Sequence, residues 1–163
     1  MSAHQFHPTI LRAYDIRGIF EDTLKTDDAF AIGLSFITIQ KQRGLGNAVT
    51  VGRDGRLSSP TLAAALIDGL VAGGAQVYDI DCSPTPMLYF AAHEFDSGGA
   101  IQVTGSHNPP RHNGFKMVMG GLSFFGEEIE ELGRVSAAVP DRTDDGGVVS
   151  RAIEETYVDR LAA

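Results

Sequence analysis

Hydrophobic and polar positions alternate along this chain with two periods that succeed one another. Phe30, Gly33, Phe36, Ile37 and Gln40 fall on one edge of a helical repeat, which predicts a helix over about Thr26 to Arg43. Thr26 is its expected N-cap, Asp27 and Asp28 suit its first turn, and Gly44 and Gly46 end it. A strand is predicted at Ala48 to Val51. The next helix starts with Ser59 as N-cap and Pro60 at its first position, packs Leu62, Ala65, Leu66, Gly69 and Leu70, and stops at Gly73 and Gly74. Gln76 to Ile80 reads as a strand, Pro84 to Pro86 as a turn, and Met87 to Glu94 as a short helix with Thr85 and Pro86 at its start. Ala100 to Val103 and Phe115 to Met119 are strands flanking an irregular stretch, Thr104 to Gly114. Gly120 and Gly121 then turn the chain into Leu122 to Phe125, ahead of a helix at Glu127 to Val135.

Such alternation predicts an α/β fold: a small, mostly parallel mixed sheet with helices on both faces. Residues 1–135 are expected to form this domain. Ser136 to Ser150, with Pro140, Asp144, Asp145, Gly146 and Gly147, reads as an exposed connector, and 151–163 as the start of a further helix whose apolar face is Ile153, Tyr157, Val158 and Leu161.

Composition narrows the function classes. The 163 residues are 43% hydrophobic and 21% charged, ordinary for a folded domain, and no apolar run is long enough to span a bilayer. A net charge of −8 argues against a nucleic-acid-coating protein or a polybasic membrane binder. Nothing at the N-terminus reads as a secretory signal, the single Cys82 has no disulfide partner within the chain, and the cytoplasm is the expected location. Cys82 itself is expected to be a buried small hydrophobe.

Candidate chemistry concentrates in Thr104-Gly105-Ser106-His107-Asn108-Pro109-Pro110, with Asn113, Gly114 and Lys116 behind it. A hydroxyl, an imidazole, an amide and an ammonium meet there at the carboxyl end of a predicted strand, where open α/β sheets bind ligands. By composition the stretch fits a tight Asx or Pro turn equally well. It is not a nucleophile elbow, because Thr104 and Asn108 stand where that motif needs glycines, and the chain has no P-loop or dinucleotide fingerprint. Arg17 beside Gly18 suits either an anion site or a surface pair with Asp15. Gly52-Arg53-Asp54-Gly55-Arg56 reads as a charged turn or as part of the same site.

Taken together, Ala13-Tyr14-Asp15-Ile16-Arg17-Gly18, Gly52-Arg53-Asp54-Gly55-Arg56, Pro84-Thr85-Pro86, the Ser106 segment and Asn113-Gly114-Phe115-Lys116 resemble the first domain of the α-D-phosphohexomutases, in the bacterial phosphomannomutase/phosphoglucomutase branch. The resemblance implies that Ser106 carries a phosphoryl group between hexose 1-phosphate and hexose 6-phosphate through a hexose 1,6-bisphosphate. It also implies catalytic roles for His107, Lys116 and Arg17, and substrate or phosphate contacts from Tyr14, Arg17, Asn108 and Lys116. Mg²⁺ bound to Ser106 through its phosphate and glucose 1,6-bisphosphate as activator belong to the same picture. The family's Asp-Gly-Asp-Gly-Asp loop is not in this sequence, so the partners expected are hexose phosphates and the family's domains two to four, and the chain alone is expected to lack turnover. Open alternatives are a stand-alone phosphoacceptor or sugar-phosphate module and a phosphoglucosamine mutase piece.

Overall fold

The computed structural model describes residues 3–163. Five helices and seven strands follow in the order β1 (Ile16–Ile19), α1 (Thr26–Gln42), β2 (Ala48–Arg53), α2 (Ser59–Ala72), β3 (Gln76–Cys82), α3 (Thr85–Glu94), β4 (Gly99–Val103), β5 (His112–Met119), β6 (Leu122–Ser123), α4 (Glu127–Ala137), β7 (Gly147–Ser150) and α5 (Glu154–Ala162). The strands form one mixed sheet in the order β1-β5-β4-β2-β3-β7, with β6 hairpinned onto β5. β4, β2, β3 and β7 run parallel to one another, whereas β1, β5 and β6 are joined by antiparallel pairings.

Alternation along the strands sorts their side chains onto two cores. Val49, Val51, Val77, Ile101, Val103 and Phe115 face α1, α2 and α4, where they meet Phe36, Ile32, Leu66, Leu70 and Leu132. Each such side chain contributes about 1.5–3 kcal/mol by leaving water. Ala100 and Ile80 face the other way, onto Leu88 and Ala91 of α3 and onto Ile153, a smaller core edged by Val118. Helices therefore cover both faces, as the sequence pattern predicts. Between α1 and α2 the backbones touch: a Cβ on Gly33 would lie 2.3 Å from the Leu66 carbonyl oxygen, and one on Gly69 2.0 Å from that of Phe30.

Several boundaries differ from expectation. The α1 cap is Lys25, whose N–H donates to Asp28 Oδ2 at 2.7 Å, because the Asp28 carboxylate reaches back past Thr26. Ser58, not Ser59, occupies the α2 cap position, since Ser59 Oγ is committed to Asp54. The irregular stretch closes earlier, at residue 111, because β5 pairs with β1 from His112 onward. β1 itself is an addition, as is β7: Gly147–Ser150, read as connector, lies parallel to β3. Cys82 is exposed and not buried; β7 pairs β3 only from Gln76 to Asp79, so the end of β3 is uncovered. In the last helix Tyr157 packs on Phe90 at 5.4 Å between ring centroids, while Val158 and Leu161 stay exposed.

Candidate functional site

The carboxyl ends of β2 and β4 lie side by side, and the segments leaving them, 54–58 and 104–111, are bound into one structure. Asp54 leads it. Its backbone N–H donates to the Val103 carbonyl (2.8 Å), and its carboxylate accepts from Thr104 Oγ1 (2.9 Å), Gly105 N–H (3.0 Å), Arg56 N–H (3.0 Å) and the Ser59 hydroxyl. Burial by itself would raise the Asp54 pKa, but these donors outweigh it and hold the carboxyl below its ordinary value. Beneath, the wholly buried Asn113 donates from Nδ2 to the hydroxyls of Ser58 (2.8 Å) and Ser59 (2.9 Å), tying the first turn of α2 to β5.

Arg56 fills the inside of the 104–111 loop. Its Nε donates to Asp54 Oδ2 (3.2 Å), Nη1 to the carbonyls of Pro109 (2.7 Å) and His112 (3.0 Å), and Nη2 to those of Ser106 (2.9 Å) and Asn108 (2.7 Å). The guanidinium lies so close to Gly105 that a Cβ there would be 2.3 Å from its central carbon.

Ser106 stands exposed at the loop's crest with φ 53°, a left-handed conformation that few residues other than glycine adopt. Its Oγ lies 3.4 Å from Nδ1 of His107, which is also exposed. Asn108 turns inward, Nδ2 donating to the Gly105 carbonyl (3.1 Å). Lys116 and Arg17 come from the neighbouring strands. Lys116 pairs across β4 with Gln102, and Arg17 pairs across β1 with Gly114, two residues before Lys116. By the pleat, Gln102, Lys116 and Arg17 therefore share the α3-side face of the sheet. Arg17 is buried and ion-paired to Asp15, with Nε lacking a hydrogen-bond partner. Among the described residues no hydrogen bond or ion pair engages the Lys116 side chain. Tyr14 is 81% exposed and stacks on Phe125 with ring centroids 6.2 Å apart.

Sequence reasoning singled out Ser106, His107, Asn108, Lys116, Arg17 and Tyr14, and the first four lie on the loop and its exit strand with Arg17 on the adjacent strand. The Asp54–Arg56 pair was legible as a charged turn or as part of the site, and not as the support of the loop. The sequence signal for its role is a glycine, Gly105, where the Arg56 side chain needs room.

Comparison with known proteins fixes the family. A family model described as phosphoglucomutase/phosphomannomutase, alpha/beta/alpha domain I, matches residues 8–140. This chain belongs to that family. The phosphomannomutase/phosphoglucomutase of Pseudomonas aeruginosa is 48% identical over 124 residues, 76% of this chain and 27% of that protein. A phosphoglucomutase of Neisseria gonorrhoeae is 46% identical over 123 residues, 76% of this chain and 26% of that one. The crystal structure of a phosphoglucomutase/phosphomannomutase family protein from Burkholderia thailandensis superposes with a TM-score of 0.88 at 41% identity, covering 96% of this chain and 36% of that one. The chain thus spans about a quarter of the length of these curated relatives.

For the Mg²⁺ implied by the family, the residues present fall short. Among the described residues no three His, Cys, Asp or Glu side chains gather to hold a metal ion, and both oxygens of Asp54 already accept hydrogen bonds. A hard divalent ion needs several oxygen ligands, and Ser106 offers one.

Proposed function

We propose that this chain is the phosphoacceptor domain of a phosphohexomutase, with Ser106 as the residue that takes and returns the phosphoryl group. The observation that carries this reading is the exposed Ser106 hydroxyl at the carboxyl end of β4, held left-handed beside His107, with Lys116 uncommitted on the adjoining strand. In the forward half-reaction the Ser106 Oγ–P bond forms as a P–O bond of a hexose 1,6-bisphosphate breaks. The hydroxyl proton leaves toward His107, and the departing sugar oxygen keeps the bonding electrons and gains a proton. The reverse half-reaction phosphorylates the other end of a hexose monophosphate. Phosphoryl transfer depends on in-line positioning and on neutralising charge, and a phosphoserine adds about −1.5 to −2 charge. Lys116 and the Arg17 guanidinium supply the opposing charge. Tyr14, exposed on Phe125, is a surface for sugar contact, and Asn108 serves by shaping the loop.

The chain is to be incubated with glucose 1,6-bisphosphate and Mg²⁺ and the phosphate mapped by mass spectrometry. Phosphate on Ser106, absent in Ser106→Ala, is the expected outcome. Phosphate on another residue, or none after exhaustive incubation, overturns the reading.

A further inference from the structure

We infer that Arg56 is a positioning residue for the Ser106 loop and not a ligand of the phosphate, and that Asp54 and Gly105 are parts of the same device. The inference rests on the reading of Ser106 as phosphoacceptor. A guanidinium has five N–H donors. In Arg56 all five are spoken for: one by the Asp54 carboxylate and four by the carbonyls of Ser106, Asn108, Pro109 and His112. None remains for an incoming anion.

What the guanidinium holds is the conformation of the loop. Ser106 has an unfavourable positive φ, and such a conformation persists only where its surroundings over-determine it. Here they do so from both sides of the residue. Before it, Thr104 Oγ1 and Gly105 N–H are fixed to Asp54 and the Ser106 N–H to Thr104 Oγ1 (2.9 Å); after it, its own carbonyl and three more converge on Arg56. The arrangement has an electrostatic corollary. Carbonyl oxygens turned outward would repel a phosphate dianion on Ser106, and Arg56 draws four of them inward. Gly105 is the matching half, since any side chain there would occupy the place of the guanidinium.

Lysine cannot replace this arginine, because an ammonium is a compact charge with three donors and no planar fork. The test compares Arg56→Lys, Gly105→Ala and Arg17→Ala in this chain by hydrogen exchange of the 104–112 segment, thermal denaturation, and the rate at which glucose 1,6-bisphosphate loads Ser106. Hydrogen bonds to a charged group are each worth about 1.5–3 kcal/mol, so losing even one should speed loop exchange about tenfold or more. We expect that acceleration in Arg56→Lys and Gly105→Ala, with α1 and α2 exchanging as in wild type and loading slowed by a similar factor. Arg17→Ala should slow loading with loop exchange unchanged. Millimolar guanidinium, but not the same concentration of sodium chloride, should restore loop protection to Arg56→Ala, a rescue that a general loss of stability would not show. Wild-type loop exchange in both Arg56→Lys and Gly105→Ala overturns the inference. If the wild-type chain never takes phosphate, the phosphoacceptor reading fails, and loop exchange still decides the role of Arg56.

Discussion

Ser106 and Lys116 illustrate what one side chain can contribute when its neighbours are fixed. Among the described residues the Lys116 side chain has no hydrogen-bond or ion-pair partner, whereas Arg17 is buried and ion-paired to Asp15; both are proposed to offset the charge of a phosphate on Ser106. Replacing either by alanine is expected to lower the rate of Ser106 loading about tenfold or more, equivalent to roughly 1.4 kcal/mol of transition-state stabilisation. Unchanged rates in both variants would remove them from the site. Asp54 offers a pH test. Its folded pKa lies below its ordinary value near 3.8, so its contribution to stability is fully present above that value and is lost as pH falls through the folded pKa. Acid unfolding followed by circular dichroism should show this loss in wild type, and Asp54→Asn should flatten it while lowering stability at pH 7 by about 1–3 kcal/mol. An unchanged acid limb in Asp54→Asn would count against the hydrogen bonds assigned to the carboxylate. The loop's polar residues were legible in the sequence because hydroxyl, imidazole and ammonium are distinctive. Arg56's role was not, since it bonds backbone carbonyls, which every residue possesses.

At the scale of elements, α1 and α2 could be read from their apolar stripes because Gly44, Pro60, Gly73 and Gly74 mark their ends and their buried faces are wide. Gly33 and Gly69 fell on those stripes, but only the structure shows why they are glycines. Alanine ordinarily stabilises a helix interior by up to about 1 kcal/mol over glycine, whereas forcing a methyl into a packed contact costs about 1–3 kcal/mol. With a Cβ 2.0 Å from the Phe30 carbonyl oxygen, the clash should win. Gly69→Ala is therefore expected to lower the urea midpoint, and a midpoint at or above wild type would show that α1 and α2 are not in backbone contact. β1 and β7 escaped sequence reading for different reasons. β1 is four residues long and places a buried arginine in its middle, which masks the apolar alternation. β7 is equally short, lies next to glycines and aspartates, and leaves Val148 and Val149 half exposed, so tertiary pairing with β3 defines it.

For the whole molecule, the sheet places the proposed site at one end and one side. Ser106 and His107 are exposed, and among the described residues no carboxylate cluster gathers there for a metal. Holding the far end of a substrate is what supplies the orienting energy for transfer, and an open loop provides little of it. The isolated chain is accordingly expected to show no measurable mutase turnover in a coupled assay with glucose 1-phosphate, glucose 1,6-bisphosphate and Mg²⁺. Sustained turnover at a rate typical of enzymes, roughly 1–10³ s⁻¹, would mean that these residues suffice. The strand order has a further consequence, for the kinetics of folding. Among the described residues the strand beside β1 in the sheet is β5, so Arg17 joins the strand that carries Lys116 by closing a loop that spans most of the chain, and closures of that kind come at a high entropic cost and slow folding. β4, β5 and the turn between them can form from neighbouring sequence, bringing Ser106 and Lys116 together early. Arg17 arrives with the long-range zipping of the N-terminal strand, so a refolding chain should pass through a stage in which the proposed acceptor Ser106 and Lys116 are in place and Arg17 is not.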